Sequence, residues 1–105
     1  MNKNIKNFIK LYLTVEQYCK TCEAVENCYI VAENGWGEVV VEFKGNATLN
    51  EMNNIFDKIY NFIKIFKFTV NEYNNTLGTI ILTVDDIDEA DYYSDAIRLV
   101  QMLSN

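Results

Sequence analysis

The sequence predicts an α+β fold: an N-terminal helix followed by two ββα units, with a four-stranded antiparallel sheet carrying its helices mainly on one face. Three observations lead there. Apolar residues recur at helical spacing through the first quarter of the chain, alternating strand patterns twice flank turns containing glycine, and a capping-box signature starts a helix between them. With 105 residues, half of them apolar, the chain has the size of a single domain spanning residues 1–105, able to bury one core without disulfides or a metal.

From Asn4 to about Glu26, one apolar row runs through Ile5, Phe8, Ile9, Tyr12, Cys19 and Cys22, and a second through Leu11, Val15, Tyr18, Cys22 and Val25. Together they describe a long helix apolar over a wide arc, with Lys3, Lys6 and Lys10 along another side. Tyr29 to Glu33 and Glu38 to Phe43 then read as strands joined by Asn34-Gly35-Trp36-Gly37, where glycine supplies the positive φ of a hairpin turn. In the second strand Val39, Val41 and Phe43 alternate with Glu38, Val40 and Glu42, so one face is apolar and the other acidic.

Thr48-Leu49-Asn50-Glu51 is the capping box. The helix it opens carries a stripe of Leu49, Met52, Ile55, Phe56, Ile59, Phe62 and Ile63. Phe68 and Val70 next alternate with Thr69 and Asn71, the segment from Tyr73 to Gly78 reverses the chain, and Ile80, Leu82 and Val84 alternate with Ile81 and Thr83. This predicts a second hairpin. A last helix is expected to set Tyr93, Ala96, Ile97, Val100 and Leu103 opposite Asp91, Asp95 and Arg98. A crude match of Val31 with Val70, and of Val39 to Phe43 with Ile80 to Val84, raises an internal duplication. With the helices on one face, Glu38, Glu42, Thr69, Asn71, Ile81 and Thr83 would occupy the other. The chain has no proline, so edge strands lack one guard against pairing and a homodimer stays open.

The formal net charge is -6, and the acid is concentrated late in the chain. Asp85, Asp86, Asp88, Glu89, Asp91 and Asp95 fall within eleven residues that hold no cation. One or two of these acids would cap the last helix and oppose its dipole. The remainder repel one another and point outside the fold, toward a basic partner. Asp88, Asp91 and Asp95 recur at helical spacing as a charged ridge that could imitate the phosphate line of a nucleic acid and, with Glu38 and Glu42, enter a groove lined by lysine and arginine. Tyr92 adds aromatic character among the acids, and Trp36, expected at a hairpin tip, is a candidate anchor. The expected partner is therefore a basic protein, a nucleic-acid-binding enzyme. Direct nucleic-acid binding is not expected, because phosphate repels such a surface.

Catalysis is not expected. The chain has no histidine, its two serines have no base in a recognisable arrangement, and its four glycines fall in turns rather than in a phosphate-binding loop. No cofactor and no metal are expected. Cys19, Cys22 and Cys28 could supply three thiolates to zinc, but the fourth ligand would have to be Glu23 or Glu26, and the cysteines read more simply as small core residues. The acids counted from Asp86 put Asp91 and Ile97 where a calcium loop needs glycine and glutamate. No apolar run reaches membrane-spanning length, and the N-terminus lacks the apolar stretch of a secretory signal, so a cytoplasmic location without membrane attachment is expected.

In size, acidity and lack of catalytic groups the chain resembles the small acidic inhibitors of phages and mobile elements, such as anti-CRISPR proteins, and equally the nuclease immunity proteins. That resemblance implies inhibition of a nucleic-acid-processing enzyme by occupation of its basic groove. The alternative is a homo-oligomeric structural or regulatory domain that associates through a sheet edge, with the acids serving solubility.

Overall fold

A computed structural model of the chain describes residues 3–33 and 35–87. Helix α1 (Lys3–Cys19) is followed by strands β1 (Val25–Glu33) and β2 (Trp36–Phe43), helix α2 (Leu49–Ile65), and strands β3 (Glu72–Thr76) and β4 (Thr79–Asp85). The strands form one antiparallel sheet in the order β1-β2-β4-β3. The α+β class, the four strands and the placement of the helices on one face are as the sequence predicts. The third helix read from the sequence lies outside the described residues.

Because β2 and β3 both run antiparallel to β4, they run parallel to each other, and α2 carries the chain from one to the other across the inner face. The described chain is thus two αββ units whose second strands, β2 and β4, pair at the sheet centre. The sequence match of β2 with β4 falls on equivalent strands, whereas that of Val31 with Val70 does not, since Val70 is in no strand.

One core joins the two helices and the sheet. Ile5, Phe8, Ile9, Leu11, Tyr12, Val15 and Cys19 of α1 and Ile55 and Ile59 of α2 pack with Ala32, Val39, Val41, Ile80, Leu82 and Val84 of the strands. A Cβ built on Gly37 would lie 2.8 Å from Cζ of Phe8, whose ring is fully buried. Glycine here is what lets α1 approach the central strand.

Helix α2 starts as predicted. Thr48 Oγ1 accepts from the Glu51 N–H at 3.1 Å, and Glu51 Oε1 accepts from the Thr48 N–H at 2.9 Å. The Thr48 N–H and hydroxyl hold the Glu51 carboxyl below its ordinary value. Its other end is a Schellman closure: the Phe68 N–H donates to the Ile63 carbonyl and the Lys67 N–H to the Lys64 carbonyl, with Lys67 left-handed at φ 54°. Leu49, expected in the core stripe, is 70% exposed, because it is the first residue of the helix and lies beyond the reach of the sheet.

Two elements differ from the sequence reading. Helix α1 ends at Cys19 rather than near Glu26, where the Thr21 N–H and hydroxyl both donate to the Tyr18 carbonyl and turn the chain. Residues Val25 to Cys28 instead extend β1 along the whole of β2, from Val25 opposite Phe43 to Glu33 opposite Trp36. The ladder claims residues whose apolar spacing also suits a helix. In the second hairpin, strand and loop are shifted. Leu77 and Gly78, both at positive φ, form a two-residue turn, so β3 pairs from Thr76 back to Glu72. Phe68 and Val70 stay outside the ladder: the Asp85 N–H opposite Val70 donates instead to Asn71 Oδ1 at 3.1 Å, and β4 ends there, before any residue could face Phe68. Asn7 of α1 fixes this connection by donating to the Thr69 carbonyl at 3.0 Å and accepting from the Thr69 N–H at 3.2 Å.

Two substitutions test these constraints by chemical denaturation. Gly37→Ala drives a methyl into the Phe8 ring and is expected to destabilise the fold by about 1–3 kcal/mol. Leu77 is 99% exposed and left-handed at φ 54°, so Leu77→Asn relieves the backbone with no loss of packing and is expected to stabilise by about 1 kcal/mol.

Candidate protein-binding face

The outer face of the sheet, opposite the helices, gathers the side chains that could meet a partner. The pairing register orders them in rows. Glu33, Trp36 and Asp85 form one row; Val31, Glu38, Thr83 and Glu72 the next; then Tyr29, Val40, Ile81 and Asn74; and last Asn27, Glu42, Thr79 and Thr76. An apolar centre, in which Tyr29 is exposed, Val31 and Ile81 are half-buried and Val40 is buried, thus lies among carboxylates of Glu33, Glu38, Glu42, Glu72 and Asp85. Neither described helix covers this face.

The charge distribution is set by which elements carry which residues. None of the eight lysines lies in a strand; all are on α1, α2 or the connections. Lys6 and Lys10 are exposed on α1, and Lys58 and Lys64 on α2, in the layer that covers the inner face. The sheet is anionic and the helical layer carries the cations. Among the described residues the single ion pair, Lys20 Nζ to Glu16 Oε1 at 3.1 Å, belongs to that layer and leaves the outer face uncompensated. Burial works to raise the Glu16 carboxyl, but hydrogen bonds from the Tyr12 hydroxyl and Lys20 prevail and hold it below its ordinary value. On the outer face, Glu42 Oε1 accepts from Asn27 Nδ2 at 3.2 Å.

Glu38 and Glu42 occupy this face as the sequence predicts, half-buried on β2. Trp36 does not sit at a hairpin tip. It is the first residue of β2, paired with Glu33 on one side and Asp85 on the other, and 38% exposed. The tip is a two-residue connection, too short to include it. Asp85, the last residue of β4, joins the face, and Asn4 Nδ2 donates to its carbonyl at 3.4 Å.

Asp86, one of the acids expected to cap a helix or meet a partner, has a backbone role at the end of β4. At φ 60° it turns the chain off β4; its N–H donates to the Gly35 carbonyl and the Gly35 N–H donates to the Ile87 carbonyl, both at 2.9 Å. Aspartate tolerates the left-handed conformation better than most side chains. The hook ties the β1–β2 turn to the end of β4 and buries Ile87. Asp88, Glu89, Asp91, Tyr92 and Asp95 lie outside the described residues.

Sequence reasoning missed Glu33 and Tyr29, both exposed on the outer side of β1. The available signal was strand parity, but Tyr29 to Ala32 is an unbroken apolar run that hides which side faces the helices. Of the cysteines, Cys19 ends α1, as its helical spacing predicts, whereas Cys22, expected in the same helix, falls in the turn that follows, and Cys28 lies on β1. Among the described residues, no group of three or more cysteine, aspartate or glutamate side chains is arranged to hold a metal ion, and no helix is long and apolar enough to cross a membrane.

In comparisons with known proteins, no family model, no curated protein and no solved structure matches this chain.

Trp36 is the only tryptophan of the chain and reports directly on the local field. With quenching constants normalised to a free tryptophan amide, caesium is expected to exceed iodide by about twofold or more at low ionic strength, and the two should converge near ~1 M salt, where screening acts within about 3 Å. Equal constants at low salt would show that Glu33 and Asp85 do not dominate the potential at the indole.

Proposed function

We propose that this chain is a binding protein whose outer sheet face seats on a basic, partly apolar surface of a nucleic-acid-processing enzyme, occupying the groove that would otherwise hold the phosphate backbone. The observation that carries the reading is the segregation of charge: strands with several carboxylates and no lysine or arginine, backed by helices that hold the lysines. Such a molecule is steered face-first toward a cationic groove, and its own lysines are kept away from the contact. Trp36, flanked by Glu33 and Asp85, combines an indole with two carboxylates, a pairing suited to a groove in which arginine or lysine alternates with apolar surface. The chain acts in this reading by binding rather than by catalysis, without a cofactor and without contacting nucleic acid, in the cytoplasm of the cell that holds its target.

A second reading has one specific observation in its favour. Strand β1 is a nine-residue sheet edge with neither proline nor lysine to blunt it, the condition under which a second copy can extend the sheet.

One experiment separates the two. The tagged chain, its Trp36→Ala variant and its Glu38→Lys variant are used to capture partners from bacterial lysate at low and high salt, and any enzyme identified is assayed with and without the chain. The expected result is a nucleic-acid enzyme released by salt and inhibited by the wild-type chain, with Trp36→Ala weakening the complex by about 2 kcal/mol or more and Glu38→Lys weakening it by about tenfold or more, mostly at low salt. Self-capture alone, with light scattering showing a dimer that persists in high salt, would remove the inhibitor reading and support association through the β1 edge.

A further inference from the structure

The early end of α1 brings all three cysteines to one cleft. Cys19 is the last residue of the helix, Cys22 lies in the turn that follows, and Cys28 is on β1; together they line a cleft of about 540 Å³ that Lys20 and Lys44 also border. All three are free thiols. Cys19 and Cys28 are neighbours where the core margin meets the cleft, whereas Cys22 Sγ turns away to the Tyr18 carbonyl at 3.4 Å. Exposure also distinguishes the pair, since Cys19 is buried and Cys28 half-buried at the cleft.

A cysteine acting as a small apolar core residue accounts for Cys19. It does not account for a second thiol set against the first across the turn and reachable from solvent. We propose that Cys28 and Cys19 are a reactive pair that closes to a disulfide when the protein meets a small-molecule disulfide, tying the end of α1 to β1. The Cys28 thiolate attacks one sulfur of the reagent; the reagent's S–S bond breaks, one thiolate leaves, and a mixed disulfide remains on Cys28. Cys19 gives up its proton through the cleft to that departing thiolate and attacks Cys28 Sγ. The Cys19–Cys28 bond forms and the second small thiol leaves. One small disulfide is thereby reduced to two thiols as two protein thiols are oxidised to one cystine. Lys20 and Lys44 at the cleft favour an anionic reagent of the glutathione class. Contact with Cys28 and burial both push the Cys19 thiol up, so the second step is the slow one and quickens as pH rises.

The pair lies at the α1–β1 junction and is independent of the outer face. The test uses the unmodified chain incubated with oxidised glutathione, then denatured, alkylated and analysed by intact mass and peptide mapping. The expected product has lost two hydrogens, carries one alkyl group at Cys22, shows a thermal midpoint higher by about 5 °C or more, and accumulates faster at higher pH. Cys22→Ser, checked for folding by circular dichroism, should close as the wild type does, and Cys28→Ser should form no internal bond. A mixed disulfide that persists on Cys28 or Cys22 would overturn the proposal. So would a bond that includes Cys22, or three alkylated cysteines after an incubation that oxidises a control dithiol.

Discussion

The contact between the Phe8 ring and the backbone of Gly37 is the constraint on which the rest of the molecule depends. A helix can lie close on a sheet only where side chains on the facing strand leave room, and Gly37 leaves that room at the start of the central strand. With Phe8 seated there, Ile5, Ile9, Leu11, Tyr12 and Val15 are brought against the valines and leucine of β2 and β4. Burial of this apolar set, at roughly 1.5–3 kcal/mol for each large side chain, is the main driving force available to a chain of this size. It also decides which side of the sheet becomes the inside.

That decision has electrostatic consequences. A strand places alternate residues on opposite faces, so fixing Val39 and Val41 inward sends Glu38 and Glu42 outward on the same strand. The β2–β4 register then sets Glu38 beside Thr83 and Trp36 beside Asp85, and β1 adds Glu33 to the row of Trp36. No lysine interrupts these strands, so the carboxylates accumulate on one surface while the lysines stay with the helices. The dipolar molecule that results suits oriented encounter with a cationic surface better than nonspecific adhesion.

The turns that close the sheet are where its strain and its local chemistry lie. Lys67, Leu77 and Asp86 are all left-handed, and each stands where the chain must leave a helix, reverse a hairpin or hook back to another turn. The same compression at the end of α1 has β1 begin only six residues after the helix, which brings Cys28 to the cleft that Cys19 lines. A thiol cleft is a by-product of matching the length of β1 to that of β2.

Much of this was legible in the sequence. The capping box at Thr48, the strand alternation of β2 and β4 and the apolar arc of α1 are local patterns whose physical cause acts within a few residues, and each of these elements is present, though α1 is shorter than its arc. The sequence also determined the segregation of lysine from the strands, and with it the acidic character of Glu38 and Glu42. Tertiary structure alone decided where α1 stops, which residues form β3, that Trp36 belongs to a strand, and that Asp86 hooks the end of β4 to the β1–β2 turn. The physical reason is common to all four. Spacing that suits a helix at Cys22 and Val25, or a strand at Phe68 and Val70, is overruled when a neighbouring strand offers or withholds a ladder of hydrogen bonds, and only the folded register specifies where that ladder begins and ends.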